Sequence, residues 1–321
     1  RGVVSGRLNQ LDDDVYRLLS LGAVAGPQFS LDVASHALGH PFSNVVDLAE
    51  AAEQVALVAE GDQPRTYAFN HAIVRSALLD DLSATRLAAA HEALALAHEQ
   101  MPGERTDALA RHWSQAAGPT ADERAVTYLG LAADRDVAAL AWEAAIIRYR
   151  LILDRLNATS APASEQLTLA WLGLGAAMRA VGDADYLDAV IHAGRGARQI
   201  QRADLLARAA IGSMKPGAWF ANANETNDVI IGFCEDALQG LDDDDPMRVQ
   251  VLSIMATSLA FEADRGRRVD LVDEAVRLAR ALGDPVVLAS ALIAEHLALW
   301  DPTTLDRRVD IAEELGQIAR R

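Results

Sequence analysis

The sequence is nearly without lysine: Lys215 stands alone among 29 basic residues. It lies in Ser213-Met214-Lys215-Pro216, so the Gly-Lys-Ser/Thr of a phosphate-cradling P-loop has no place in this chain. Cysteine is equally scarce, and the single Cys234 excludes an internal disulfide. No apolar run reaches the roughly 18 residues needed to cross a membrane, and no signal-peptide pattern is present; both point to a cytoplasmic protein without a membrane partner. Aromatic residues make up only 5% of the chain while Ala and Leu are plentiful. That balance favours close-packed helices over a fold rich in β-branched and aromatic strands. Positive charge is in deficit as well, and a net charge of -17 repels phosphate backbones, so direct nucleic-acid binding by this segment is not expected.

What is present is apolar residue in quantity. With 321 residues of which 51% are hydrophobic, the chain can build two domains with substantial cores. Leu8, Leu11, Val15, Leu18, Leu19 and Leu21 form one helical stripe with Asp12, Asp13 and Asp14 in its first turns. Gly22 to Pro27 is expected to break that helix. A second helix runs from a Ser30 cap to about Leu38, and a third from about Ser43 to Gln54. Val55–Ala59 and Arg65–Phe69, joined through Gly61-Asp62-Gln63-Pro64, read as a short hairpin. Three helices followed by a hairpin is the order of a winged helix. At Phe69 to Asp80 the period changes from two to that of a helix, with His71 at the junction.

Beyond Ser83 the chain reads as amphipathic helices, closed first at Met101-Pro102-Gly103. Arg267-Arg268-Val269-Asp270-Leu271 returns 40 residues on as Arg307-Arg308-Val309-Asp310-Ile311, and Glu274, Ala279 and Arg280 return as Glu314, Ala319 and Arg320. Helices opening near Ser164, Arg202, Pro246 and Pro285 follow the same period, each with a partner helix. A helix pair cannot bury its apolar face alone, so such pairs must stack. Trp171, Leu174 and Gly175 against Ala189 and Ala193, and Ala145 with Tyr149, fit degenerate tetratricopeptide-like units. The expected fold is all-α with one small β-hairpin wing: a winged-helix domain with a connecting helix over 1–101, then a tetratricopeptide-like α-solenoid over 102–321. The chain opens on Arg1 rather than Met and ends at Arg321 within a repeat, so it reads as part of something longer.

Candidate chemistry is sparse. His91-Glu92 begins like a zinc-binding His-Glu-x-x-His, but Ala95 takes the second ligand's place. His36 and His40 are four apart, yet Pro41 ends their helix and a third ligand is missing. Asp242 to Asp245 lacks the alternating ligands of a calcium loop and reads as a cap for the helix at Pro246. No metal site, resident cofactor or catalytic residue is expected, and the fragment is not read as an enzyme. Trp219, Phe220, Asn222 and Asn224 fall in a stretch that interrupts helical periodicity. They either anchor a ligand or partner, as large aromatics do at interfaces, or plug the joint between repeats. Trp300 and His296 read as packing residues between repeats.

The pattern Val15-x-x-Leu18-Leu19-x-Leu21-Gly22-Ala23-Val24-Ala25-Gly26-x-x-Phe29, then Phe69-x-His71-x-x-Val74-Arg75-x-Ala77-Leu78 and Leu82-x-x-x-Arg86-x-x-x-x-His91, resembles the region after the ATPase domain in STAND-type bacterial regulators. These carry an AAA-like ATPase and a LuxR-type helix-turn-helix, a cyclase or another output domain. Arg277-Leu278-Ala279-Arg280-x-Leu282-Gly283-Asp284-Pro285 is similar to their repeats. The resemblance implies a regulatory and interaction segment in transcription control or signal transduction. Its implied partners are the ATPase domain of the full-length chain, which would bind ATP or ADP, and a protein or small-molecule inducer on the repeats. It further implies that His71 senses the phosphates of bound ADP; the plainer reading is that His71 caps its helix. Arg75 would pair with phosphate or with an acidic residue of the ATPase domain, or else with a local carboxylate. The alternative to this whole assignment is a free-standing scaffold that binds a peptide or protein.

Overall fold

A computed structural model describes residues 8, 11–158, 164–214, 225–259 and 265–320. Among them helix dominates, with one small three-stranded sheet, so the chain is all-α in class. It forms two compact units, Arg1–Arg135 and Asp136–Arg321. The first unit therefore runs past position 101, where the sequence placed the end of the first domain.

In the first unit, α1 (Asp13–Ala25) starts at Asp12, whose carboxylate accepts from the Asp14 amide, and buries Val15, Leu18, Leu19 and Val24. Gly22 does not break this helix. It lies inside α1 because the Phe29 ring packs flat against it: a Cβ there would meet that ring at 2.8 Å. Phe29 belongs to β1 (Gln28–Ser30), a strand that the sequence reading lacked. α2 (Leu31–Leu38) follows, with Ser30 at its N-cap but without a side-chain capping bond, and ends on Gly39 in the left-handed region at φ 67°. After α3 (Phe42–Gln54) the expected hairpin forms from β2 (Val58–Glu60) and β3 (Thr66–Phe69), its first strand beginning at Val58 rather than Val55. β3 is central: it pairs antiparallel with β2 on one side and β1 on the other, placing Phe29 opposite Tyr67. The strand enters α4 (Ala72–Asp80), then α5 (Ala84–Gln100), α6 (Thr106–Trp113) and α7 (Pro119–Ala138).

One continuous core joins the sheet and helices α1 to α5. Leu18, Leu19, Leu57, Leu78 and Leu94 are each at most 1% exposed. At about 2 kcal/mol for a fully buried leucine, they hold the helices on the sheet.

The second unit holds α8 (Trp142–Ala158), α9 (Glu165–Val181), α10 (Tyr186–Gln199), α11 (Ala203–Gly212), α12 (Glu225–Gly240), α13 (Pro246–Ser258), α14 (Arg265–Leu282), α15 (Pro285–Ala298) and α16 (Leu305–Ile318). Each packs on its neighbour in sequence; α9, α11, α13 and α15 also pack one on the next, and α10 on α12. Helix starts follow their caps: Ser164 accepts from the Leu167 amide, and Asp245 and Asp284 cap helices that begin with Pro246 and Pro285. The acidic run 242–245 thus ends in a capping residue, as its spacing before Pro246 implied. Close approach depends on small residues. The Phe233 ring lies against Gly194, and Tyr149 against Gly173, where a Cβ would collide with either ring.

Ion pairs stitch one layer of this stack. Arg198 of α10 meets Asp236 of α12 at 2.5 Å, Arg267 of α14 meets Glu235 of α12 at 2.6 Å, and Arg307 of α16 reaches back to Asp273 of α14. The repeated Arg267 and Arg307 therefore do the same job one unit apart. Trp300 departs from its expected packing role. It is 61% exposed, two residues past the end of α15 at Ala298, with the Arg308 guanidinium over its ring at 4.3 Å. His296 is half-buried, with Nε2 facing Arg308 Nη2 at 3.2 Å.

Candidate functional site

The junction between β3 and α4 is fixed by Asn70, whose amide donates to the Leu57 carbonyl at 3.1 Å and whose Nδ2 donates to the Val58 carbonyl at 3.3 Å. His71 follows at the N-cap of α4 in extended conformation, φ −142° and ψ 133°. Its side chain makes no capping bond and is exposed, as are Asn70, Ala72 and Ile73. The first-turn amides of α4 therefore lack the usual side-chain acceptor from the N-cap position.

Arg75, one turn into α4, points the other way. Its Nε donates to the Ala23 carbonyl at 2.8 Å, one of the last carbonyls of α1. A second guanidinium, Arg111 of α6, donates from Nη2 to the Ala25 carbonyl at 2.6 Å. The C-terminal turn of α1 thus has two of its orphan carbonyls taken by cations, which is where a helix dipole favours positive charge. Burial, with Arg75 nearby, lowers the pKa of Arg111 from its ordinary value.

The same Nη2 continues into a buried histidine cluster. Arg111 Nη2 lies 3.0 Å from His112 Nε2, and His112 Nδ1 lies 2.9 Å from His91 Nδ1. A guanidinium can only donate, so His112 Nε2 accepts and the proton of that neutral ring sits on Nδ1. His112 Nδ1–H then donates to His91 Nδ1, which places the His91 proton on Nε2. His98 stacks on His112 with ring centres 5.6 Å apart and planes 16° from parallel. Burial first, and the Arg111 charge second, pull His91 down to about 4 and His112 to about 3. Burial, then Arg105 and Arg111, bring His98 to about 4. All three rings are neutral near pH 7.

The half zinc motif at His91 thus has a different partner, donated by α6 rather than by position 95. Among the described residues no group of three or more His, Cys, Asp or Glu side chains is placed to hold a metal ion. His36 instead faces Gln100 Oε1 at 3.2 Å through its Nδ1. The sequence reading missed His98, Arg111 and His112. The signal available was the seven-residue spacing of His91 and His98, two turns apart on one face of α5. Trp219, Phe220, Asn222 and Asn224 lie outside the described residues. No helix among the described residues is long and apolar enough to cross a membrane.

No family model matches this sequence, and no curated protein is found similar to it.

Proposed function

We propose that this chain is the regulatory and protein-interaction segment of a STAND-type, ATP-dependent bacterial regulator of transcription or signalling, acting in the cytoplasm. In this reading the first unit is a winged helix that docks on the ATPase domain of the same protein, and the second is a tetratricopeptide-like solenoid that receives an inducer. The observation that carries it is the split character of α4. His71 stands free at its exposed end, with uncapped amides beside it, while Arg75 ties the helix to the end of α1.

An imidazole and helix-end amides are together suited to an anionic phosphate presented by a docked domain. Arg75 then serves as the anchor that carries a shift of α4 into α1, with its Nε committed to Ala23. An inducer on the repeats changes output only through unequal affinity for the resting and active states. Reading the gene on either side of this segment, with nucleotide titration of the isolated segment, tests the assignment. The expected result is a P-loop upstream and no ATP or ADP affinity in the segment itself. A gene with no ATPase domain contradicts it.

A further inference from the structure

The geometry points to a binding site for a small organic monoanion with an apolar body, in the groove where α5, α6 and α7 meet. The groove has a volume of about 590 Å³, within the range of sites that hold metabolite-sized ligands. Its walls combine apolar surface from Met101, Leu109 and Leu131 with the ring of Tyr128.

Charge in the groove is unequal. Glu99 is its one carboxylate, and it is fully engaged: it accepts from Trp113 Nε1 at 3.1 Å and from the Tyr128 hydroxyl at 3.2 Å, and it is paired with Arg124. Arg124 in turn lies over the Trp113 ring at 4.8 Å. Arg105 is left over. Among the described residues it has no carboxylate partner, and its buried Nε makes no hydrogen bond. His98, across the groove, also keeps a buried Nδ1 without a hydrogen bond. A carboxylate answers the free charge: it pairs with the terminal guanidinium nitrogens of Arg105, and His98 senses the change through its charge coupling to Arg105. A monoanion fits better than a dianion, since Arg105 supplies one uncompensated charge on a chain of net charge -17.

The site also has a route to the rest of the unit, because His98 stacks on His112, the ring held by Arg111 at the end of α1. A carboxylate against Arg105 removes positive field from His98 and so favours its protonated form.

The test is calorimetric titration of the whole chain with 4-phenylbutyrate and with its neutral amide, alongside NMR of the histidine rings. The expected result is saturable binding of the acid with Kd below about 5 mM, weaker binding of the amide by about tenfold or more, and a shift confined to the His98 and His112 resonances. Arg105→Gln should weaken the acid by about tenfold and leave the amide unchanged. Leu131→Asp, at a half-exposed position that tolerates polarity, places a repelling carboxylate in the groove and should do the same without touching the core. Equal affinity for acid and amide, no saturation by about 20 mM, or full binding in a folded Leu131→Asp protein overturns the proposal.

Discussion

His91 and His112 meet Nδ1 to Nδ1 across 2.9 Å, a contact that holds one proton between the two nitrogens. Both rings are buried, and His112 is wholly inaccessible. The proton is placed by Arg111, since its guanidinium occupies the far nitrogen of His112.

Acid should therefore loosen the first unit before carboxylates begin to titrate. The folded-state values of about 3 to 4 lie below the ordinary 6.5 of a free histidine. Between those limits the unfolded chain binds protons that the folded chain refuses, so stability is full above about pH 6.5 and is lost as the pH falls toward 4. A loss of roughly 2 kcal/mol for each of the three rings, about 5 kcal/mol together, is expected between pH 7 and 5 in urea titrations. A stability that is flat over this interval contradicts the buried, neutral cluster.

Arg111→Met should cost about 2–3 kcal/mol, because the Ala25 carbonyl and His112 Nε2 both lose a charged donor. It should also free the tautomer. Long-range nitrogen–proton NMR spectra of the native protein are expected to show His112 protonated at Nδ1 and His91 at Nε2; in Arg111→Met that assignment should become mixed. A native His112 protonated at Nε2 would rule out this assignment.

Much of this architecture is legible in the sequence, and the boundary of legibility is physical. Apolar periodicity reports which face of a segment is buried, so the helix stripes, the hairpin and the strand-to-helix change at Phe69 could be read directly. The 40-residue return of Arg267 at Arg307 likewise reports a repeated environment, here an ion pair onto the earlier helix of the same layer. What one segment cannot report is its partner. Gly22 looks like a helix breaker until Phe29 arrives to pack on it, and β1 is too short to show a period at all. His112 sits beside Trp113 with no pattern that connects it to His91, 21 residues earlier on another helix.

Two helical glycines should respond in opposite directions to alanine. At Gly194 the new methyl group collides with the Phe233 ring, and a loss of about 1–3 kcal/mol is expected, relieved in the double variant with Phe233→Leu. At Gly130 in α7 nothing lies within 4 Å of the added carbon, so Gly130→Ala should gain about 0.5–1 kcal/mol from helix propensity. Chemical denaturation of the three proteins decides both.

The ion pairs of the second unit should divide by burial. Arg307 Nε donates at 2.7 Å to Glu295, a carboxylate only 5% exposed, so Arg307→Ala strands a buried charge. A cost of about 2–3 kcal/mol is expected, reduced from that of a fully buried pair because Arg307 itself is partly solvated. Arg280 pairs at 2.8 Å with Glu314 on the surface, and Arg280→Ala should cost about 0.5 kcal/mol or less, fading further in salt. Thermal unfolding at low and high ionic strength separates the two.

If, as proposed, the exposed end of α4 reads the nucleotide state of an ATPase domain, the direct measurement is the resting output of the full-length protein carrying His71→Ala. His71 is exposed and makes no capping bond, so the variant should fold with native stability. The account predicts resting output raised several-fold, by at least about 1 kcal/mol of lost bias toward the ADP-bound state, with inducer-driven output unchanged. Resting output equal to that of the native protein, in a regulator that still binds ADP, contradicts it.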